Sequence, residues 1–345
     1  MSKKNNPKSR VIKRKKKSRK KFLFILTIFL IAFFSLIGYG IHLFTKAGTM
    51  ISESYVNHGR EKSELRDKVV NPALDNVSIL IMGIDASEKR NNFEGARTDT
   101  LMLATLNKEA KSVKLLSIPR DSYVYIPKVE RYSKINHAHA YGGTEATIET
   151  VEHLLNIPVD YYVKLNFEAF IEVVDALNGI TVEVPYELYE QDSKDRANAI
   201  HLLPGEQQLN GEEALALART RKLDNDIERG KRQQEIIKAI LAKAMSLGSV
   251  FKYGEVIDAI DGNMETNINN EELQGFISYG LNGLNLNVET YTLEGEDYQP
   301  DGIYYWKLDD LALMETKRML QQHLEVETSS FTESESYQYE NAIGD

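Results

Sequence analysis

The chain has no cysteine among its 345 residues. That absence excludes disulfides, thiolate metal sites and cysteine nucleophiles together. Several chemical signatures are missing as well. There is no glycine-rich loop ending in Lys-Ser or Lys-Thr for nucleoside triphosphates, and no dinucleotide fingerprint. No metalloprotease histidine pair and no Gly-x-Ser-x-Gly elbow occur. His137, His139 and His153 do not form a recognised metal-ligand spacing. No internal repeat is visible. Charge is absent in two telling ways. Residues 1–21 hold twelve Lys and Arg but no acid, and the 24 residues from Phe22 to Thr45 hold no Asp, Glu, Lys or Arg.

The uncharged run predicts a transmembrane helix. At about 1.5 Å per residue it would measure about 36 Å, enough to cross a hydrocarbon core of about 30 Å with some tilt. A cleaved signal peptide would have an apolar region of about 7–15 residues and a small-residue cleavage site. This run is longer, and Gly38-Tyr39-Gly40 followed by Ile41-His42-Leu43-Phe44 is a poor cleavage site. The expectation is an uncleaved signal anchor at 22–45. The positive-inside rule then puts the basic arm, 1–21, in the cytoplasm against an anionic leaflet, and the rest outside a cell membrane as a single-pass type II protein. The arm is short and tethered, so nucleic acid is not expected as a partner. Without the arm, 30 basic residues face 51 acidic ones.

Residues 46–76 read as a polar juxtamembrane spacer ending near Asn71-Pro72. About 250 residues then alternate strand and helix patterns. Val77–Met82, Leu101–Leu106, Val113–Ile118, Val159–Leu165, Ile180–Val184 and Val288–Leu293 read as strands. Helices are predicted over 144–155 with Thr144 as N-cap, from Asn166 to before Asn178-Gly179, and after a capping box at Asn210-Gly211-Glu212-Glu213. A long helix follows from about Arg229 to Leu247, and a closing one near 308–323. This alternation predicts an α/β fold, an α-β-α sandwich with a mixed central sheet, preceded by one transmembrane helix. From Thr328 the Ser-, Glu- and Thr-rich tail, 327–345, is expected to be disordered.

Arg219 to Gln234 packs six cations into sixteen positions of an otherwise acidic body. Arg229, Lys231 and Arg232 fall near the start of the long helix, where the backbone dipole is already positive. Such a cluster makes sense if an anion, phosphate above all, sits on it. A solvated surface balanced by Asp224, Asp226 and Glu228 is the alternative. Other charged residues sit at strand ends, where ligands collect in open α/β sheets. Asp85 follows the first strand, Arg97 and Asp99 precede the second, and Arg120 and Asp121 follow the third. Carboxylates suit Mg²⁺, and arginine suits phosphate. Equally, Asp85 reads as a turn or cap residue, the Arg/Asp couples as ion pairs, and Lys134 as a solvated lysine.

In order and spacing these motifs resemble the LytR–CpsA–Psr family of cell-envelope proteins. The matching residues are Met82-Gly83-Ile84-Asp85, Ala96-Arg97-Thr98-Asp99-Thr100, Ser117-Ile118-Pro119-Arg120-Asp121 and Lys134-Ile135-Asn136 with Ala140-Tyr141-Gly142-Gly143. Leu203-Pro204-Gly205, Leu209-Asn210-Gly211 and Ala218-Arg219-Thr220-Arg221 leading to Asp226 through Gln234 complete them. The resemblance implies a catalytic domain over 77–247. It also implies a C-terminal extension over 248–326, packed on that domain, like that of the LytR-type, teichoic-acid-transferring members. It implies an enzyme that moves a glycopolymer, here wall teichoic acid, from undecaprenyl pyrophosphate to peptidoglycan. The product is a phosphodiester at the muramic acid C6 hydroxyl. By the same resemblance Asp85 and Asp99 hold Mg²⁺. Arg97, Arg120, Lys134, Arg219, Arg221, Arg229 and Gln233 bind pyrophosphate, and the helix-start cluster adds Arg232. Asp85, Asp99, Arg97 and Arg120 form the implied catalytic set, and the lipid lies in an apolar tunnel with wall candidates in 144–176. The alternatives are a polyprenyl-pyrophosphate hydrolase and a non-catalytic envelope regulator.

Overall fold

The computed structural model describes residues 7–84, 97–221, 226–246, 252–282 and 287–326. It divides into two compact units, Met1–Gly48 and Thr49–Asp345. The first consists of most of α1 (Pro7–Ser54), so the basic arm from Pro7 continues the apolar helix without a break. Thr27–Ser54 is long and apolar enough to cross a membrane. Phe24, Phe29, Ile31, Phe34, Leu36 and Ile41 are all exposed. A helix apolar on every side needs apolar surroundings, which fits a single-pass anchor.

The second unit is built on β1 (Val77–Ile84), β2 (Thr98–Asn107) and β3 (Ser112–Ser117), a meander with Leu80 opposite Leu103 and Leu103 opposite Leu116. The hairpin β4 (Tyr123–Ile126) and β5 (Arg131–Lys134) leads into α2 (His137–Leu155). This helix starts earlier than the sequence predicts and is kinked at Gly142 and Gly143. Thr144 caps nothing there. Its hydroxyl donates to Glu265 and accepts from Lys164, both at 3.3 Å. Next, β6 (Tyr161–Asn166) pairs parallel to β1, and α3 (Phe167–Ala176) follows, capped as expected by Asn166 accepting from the Ala169 N–H at 2.8 Å. A smaller lobe contains β7 (Ile180–Val184), β8 (Leu188–Glu190), β9 (Ile200–Leu202) and β10 (Gly205–Leu209). It closes with α4 (Gly211–Arg219), which begins on the predicted Asn210–Glu213 capping box.

The long helix α5 (Asp226–Ala244) is followed by α6 (Tyr253–Ile260), β11 (Met264–Thr266) and α7 (Asn270–Asn282). The chain ends its described part with β12 (Asn287–Thr292), the hairpin β13 (Gly295–Tyr298) and β14 (Tyr305–Leu308), and α8 (Asp310–Leu324). The central sheet runs β11-β6-β1-β2-β3-β12 and is mixed, as predicted. Both its edge strands come from the C-terminal part, so residues after 247 are woven into the sheet as well as packed on it. The stretch read as a spacer is also tied down. Val56 N–H donates to Thr266 O at 2.9 Å, and the Arg66 guanidinium pairs with the buried Asp160 carboxylate at 2.7 Å. The tail from 327 lies outside the described residues.

Strand alternation gives the sheet two apolar faces. On one, Leu80, Met82, Leu103 and Leu116 meet Val151 and Leu155 of α2 and Leu320 of α8, every one of them fully buried. On the other, Val77, Met102, Ala104 and Leu115 are buried, but Ile79, Ile81 and Val163 are only partly covered by Ile237 of α5 and Leu273 and Phe276 of α7. The incompletely covered track runs along β1 towards Ile84.

Candidate active site

The site forms beyond the end of that track, where β1 stops, β2 starts and α5 begins. Seating α5 there requires a close approach. A Cβ on Gly230 would meet the Ser117 hydroxyl at 2.8 Å, so any larger residue would have to push that hydroxyl aside for the first turns of α5 to lie against β3. The helix starts at Asp226, three residues before the expected boundary, which puts a carboxylate in its first turn and Arg229 one turn in.

Asp226 is the hub. Its nearly buried carboxylate lies 2.7 Å from Arg229 and 3.8 Å from both Arg120 and Arg221. Arg120 also bonds to Asp99 and lies 3.7 Å from Asp121, while Asp121 holds Lys134 at 2.7 Å. Three carboxylates and four cations thus form one connected cluster. Arg229 also reaches the Asp99 carbonyl at 3.4 Å. Burial, with help from Arg120 and Arg221, pushes the Arg229 guanidinium down to about 10 against the pull of Asp226, so it stays cationic at neutral pH. Nε of Arg120 and of Arg229 are buried with no hydrogen-bond acceptor. Buried donors of this kind are costly unless something accepts from them. Repelling cations with idle donors are what a bound phosphate would relieve.

The remaining predicted residues divide. Arg97 is exposed at the entrance to β2. His137 is held below the usual imidazole range first by burial, then by the charges of Arg97 and Lys134, which places Arg97 beside the cluster. Arg219 stacks over the Phe167 ring at 5.0 Å, at the same sheet end, since Phe167 follows the Asn166 that pairs with Ile84. Asp85 and Lys222 lie outside the described residues. Arg232 is not brought into the cluster. It is buried, with its Nε donating to Leu217 O at 3.1 Å and its guanidinium to Thr220 O at 2.5 Å. Gln233 likewise donates to Ala218 O at 3.1 Å. The reason is physical. The end of α4 leaves carbonyls without helical partners, Thr220 is not in the left-handed conformation that would cap them, and these two side chains supply the donors. Lys231 points outward to Glu228 at 2.7 Å. In the sequence Asp226 reads as a counter-charge to the basic run and as the first residue of the last family motif. The one local sign of its role is an acid three residues before Arg229, a spacing that places both on one helix face.

Asp99 is the kind of oxygen donor magnesium takes. Among the described residues, however, no three carboxylates or histidines gather as a metal cage. Asp99 is paired with Arg120, and Asp85, the other carboxylate of the expected pair, lies outside the described residues. The site also has an aromatic border. The Lys134 ammonium lies 5.8 Å from the Tyr304 ring centre and 5.7 Å from that of Tyr305. Burial, a hydrogen bond to Asp297 and the charges of Asp297, Asp121 and Asp226 push the Tyr304 hydroxyl up to about 12.

The LytR_cpsA_psr family model matches residues 41–322. The chain belongs to the LytR_cpsA_psr family. Among its relatives is the polyisoprenyl-teichoic acid–peptidoglycan teichoic acid transferase TagT of Bacillus subtilis (strain 168). The two are 42% identical over 290 residues, which is 83% of this chain and 89% of TagT. A solved structure of TagT bound to LI-WTA matches with a TM-score of 0.67 at 42% identity, covering 78% of this chain and 98% of that one. Another LytR_cpsA_psr structure, TagT with bound octaprenyl pyrophosphate lipid, matches with a TM-score of 0.63 at 40% identity, again over 78% and 98%. The residues matched by the family model, 41–322, include the sheet and the cation cluster.

Proposed function

We propose that this LytR_cpsA_psr protein is a membrane-anchored transferase. It moves an anionic glycopolymer, wall teichoic acid, from an undecaprenyl-pyrophosphate carrier to the muramic acid C6 hydroxyl of peptidoglycan, outside the cell. The observation that carries this reading is a juxtaposition. A half-covered apolar sheet face, Ile79, Ile81 and Val163, ends at a cluster of four cations, two of which, Arg120 and Arg229, have idle buried donors. That pairing suits a molecule with a long apolar tail and a pyrophosphate head. TagT, at 42% identity, carries the transferase name, and its structures hold a polyprenyl pyrophosphate and LI-WTA.

In the proposed reaction the acceptor hydroxyl oxygen attacks the glycopolymer phosphorus. A phosphodiester forms, the P–O–P bond breaks, and undecaprenyl phosphate leaves with the electron pair. The protein's work is positioning and neutralising charge on the phosphoryl oxygens. Arg120, Arg221, Arg229 and Lys134 are proposed to do this, with Arg97 and Arg219 flanking. Asp99 and Asp85 are proposed to hold Mg²⁺, which when bound supplies further charge neutralisation. A carboxylate near the acceptor hydroxyl takes its proton, and Asp99 and Asp85 are the candidates.

The test is reconstitution with a lipid-linked donor and peptidoglycan. Wild type should yield a phosphodiester product, and Arg120→Ala should lower the rate about 10²- to 10³-fold, the usual cost of one oxyanion-stabilising donor. Release of free glycopolymer phosphate into water in place of phosphodiester would make the protein a hydrolase. No turnover at all would favour a regulator.

A further inference from the structure

The hairpins β4–β5 and β13–β14 are short, and neither belongs to the central sheet. They are nonetheless joined. Ser122 bridges Trp306, and the Trp306 N–H donates to Asp121 O at 2.9 Å. Asp121 is the residue that holds Lys134, so the joined hairpins and the cation cluster share one rigid link.

Alternation on β4 sends Val124 and Ile126 into the core and leaves Tyr123 and Tyr125 half-exposed. Across the hairpin, Tyr125 pairs with Tyr132, and Tyr123 pairs with Lys134. Tyr123 stacks on Tyr132 at 5.3 Å, meets Tyr305 edge-on at 4.9 Å, and lies 5.7 Å from Tyr298. Five tyrosines therefore make one continuous face that begins at Lys134 and runs outward. Packing alone does not explain it, because Tyr132 is 60% exposed and Tyr298 37%. An exposed aromatic patch of this kind marks an interaction surface.

We infer that this tyrosine face is the docking platform for the acceptor glycan strand. The inference rests on the transferase reading above and says where its second substrate lies. A pyranose ring has a face of C–H bonds carrying slight positive charge, which suits the negative face of an aromatic ring. Its hydroxyls meanwhile stay free to bond with water and tyrosine OH groups. The platform's outer edge carries Glu296 and Asp297, with Lys307 near Glu296 at 3.3 Å. Glu296 is thus paired and Asp297 accepts from the Tyr304 hydroxyl at 3.1 Å, so this edge has no surplus positive charge to hold a phosphate-rich polymer, whereas a sugar backbone needs none. The arrangement thus assigns the anionic donor to the cation cluster and the acceptor sugars to the tyrosines.

The test uses the full-length protein in detergent and a soluble glucosaminyl–muramyl tetrasaccharide without peptide. The indole of Trp306, the one tryptophan in the chain, is turned to Leu293 O on the side of β14 away from Tyr305, so binding is read by isothermal titration calorimetry. Wild type should show saturable binding. The double substitution of exposed residues, Tyr132→Ala with Tyr298→Ala, should weaken it about tenfold. Tyr189→Ala, an exposed tyrosine in the small lobe, should change nothing. In the transfer assay the double variant should raise the glycan KM with kcat kept, and polyprenyl-pyrophosphate binding should be unaltered. Absent wild-type binding, equal affinity in the double variant, loss in the Tyr189 control, or a parallel loss of lipid or donor binding would each overturn the platform. If wild type binds the glycan through these tyrosines but forms no phosphodiester, the platform stands and the transferase reading falls. If wild type transfers and the double variant matches it, the platform alone falls.

Discussion

The two faces of the central sheet are made from the same residue types in the same strands, yet they are finished differently. Leu80 and Met82 meet α2 and α8 and are sealed, whereas Ile79 and Ile81, their neighbours in β1, are left partly covered beneath α5 and α7. A protein under selection for stability alone would close both. The difference teaches that one sheet can be sealed on one side and left half-covered on the other, and here the half-covered side leads to the cation cluster.

Paired substitutions test this most strongly. Leu80→Ala on the sealed face should cost about 3–4 kcal/mol, the cavity-forming range for a fully buried leucine. Ile81→Ala should cost about 1 kcal/mol yet weaken polyprenyl-pyrophosphate binding, because it lies on the half-covered face proposed to take the lipid. Urea unfolding and lipid binding measured on both variants decide the matter. Equal stability losses with equal lipid affinity would erase the distinction between the faces.

The sealed face also contains a titratable group. His323 is buried between the Thr105 hydroxyl at Nδ1 and the Ser112 hydroxyl at Nε2, both at 2.8 Å. Burial, with Lys114 adding to it, pushes His323 down from 6.5 to about 4. Its neutral form is therefore the folded form. The unfolded chain takes up the proton first, so this contribution is fully present above about pH 6.5 and is lost as pH falls towards 4. The drop should be about 3 kcal/mol across that window. It should vanish in His323→Gln. A drop of the same size in that variant would assign it to other groups.

The smallest effect separates the cations. Lys231→Ala breaks an exposed pair with Glu228 and should change stability by no more than about 0.5 kcal/mol, with lipid binding unchanged. Loss of binding in that variant would return Lys231 to the site.

Much of the fold was legible. β1, β2, β3, β6 and β7 carry enough apolar residues to show their period, and the caps at Asn166 and Asn210 are local hydrogen-bond patterns that a sequence displays. The four-residue strands of the tyrosine hairpins and the three-residue β11 were not, because three or four residues are too few to establish alternation. Of the site, the strand-end charges Asp99, Arg120 and Asp121 were legible from position. The division of the basic run was not, since Arg229 and Arg232 occupy the same helix three residues apart.

By itself the sequence determined an apolar anchor helix, a mixed α/β sheet and a concentration of positive charge beyond its strand ends. These follow from hydropathy, periodicity and capping, which are properties of neighbouring residues. Only the tertiary structure decided which cations gather around Asp226 and which close a helix end. That choice depends on where α4 stops against α5, and on the missing side chain at Gly230 that lets α5 approach β3.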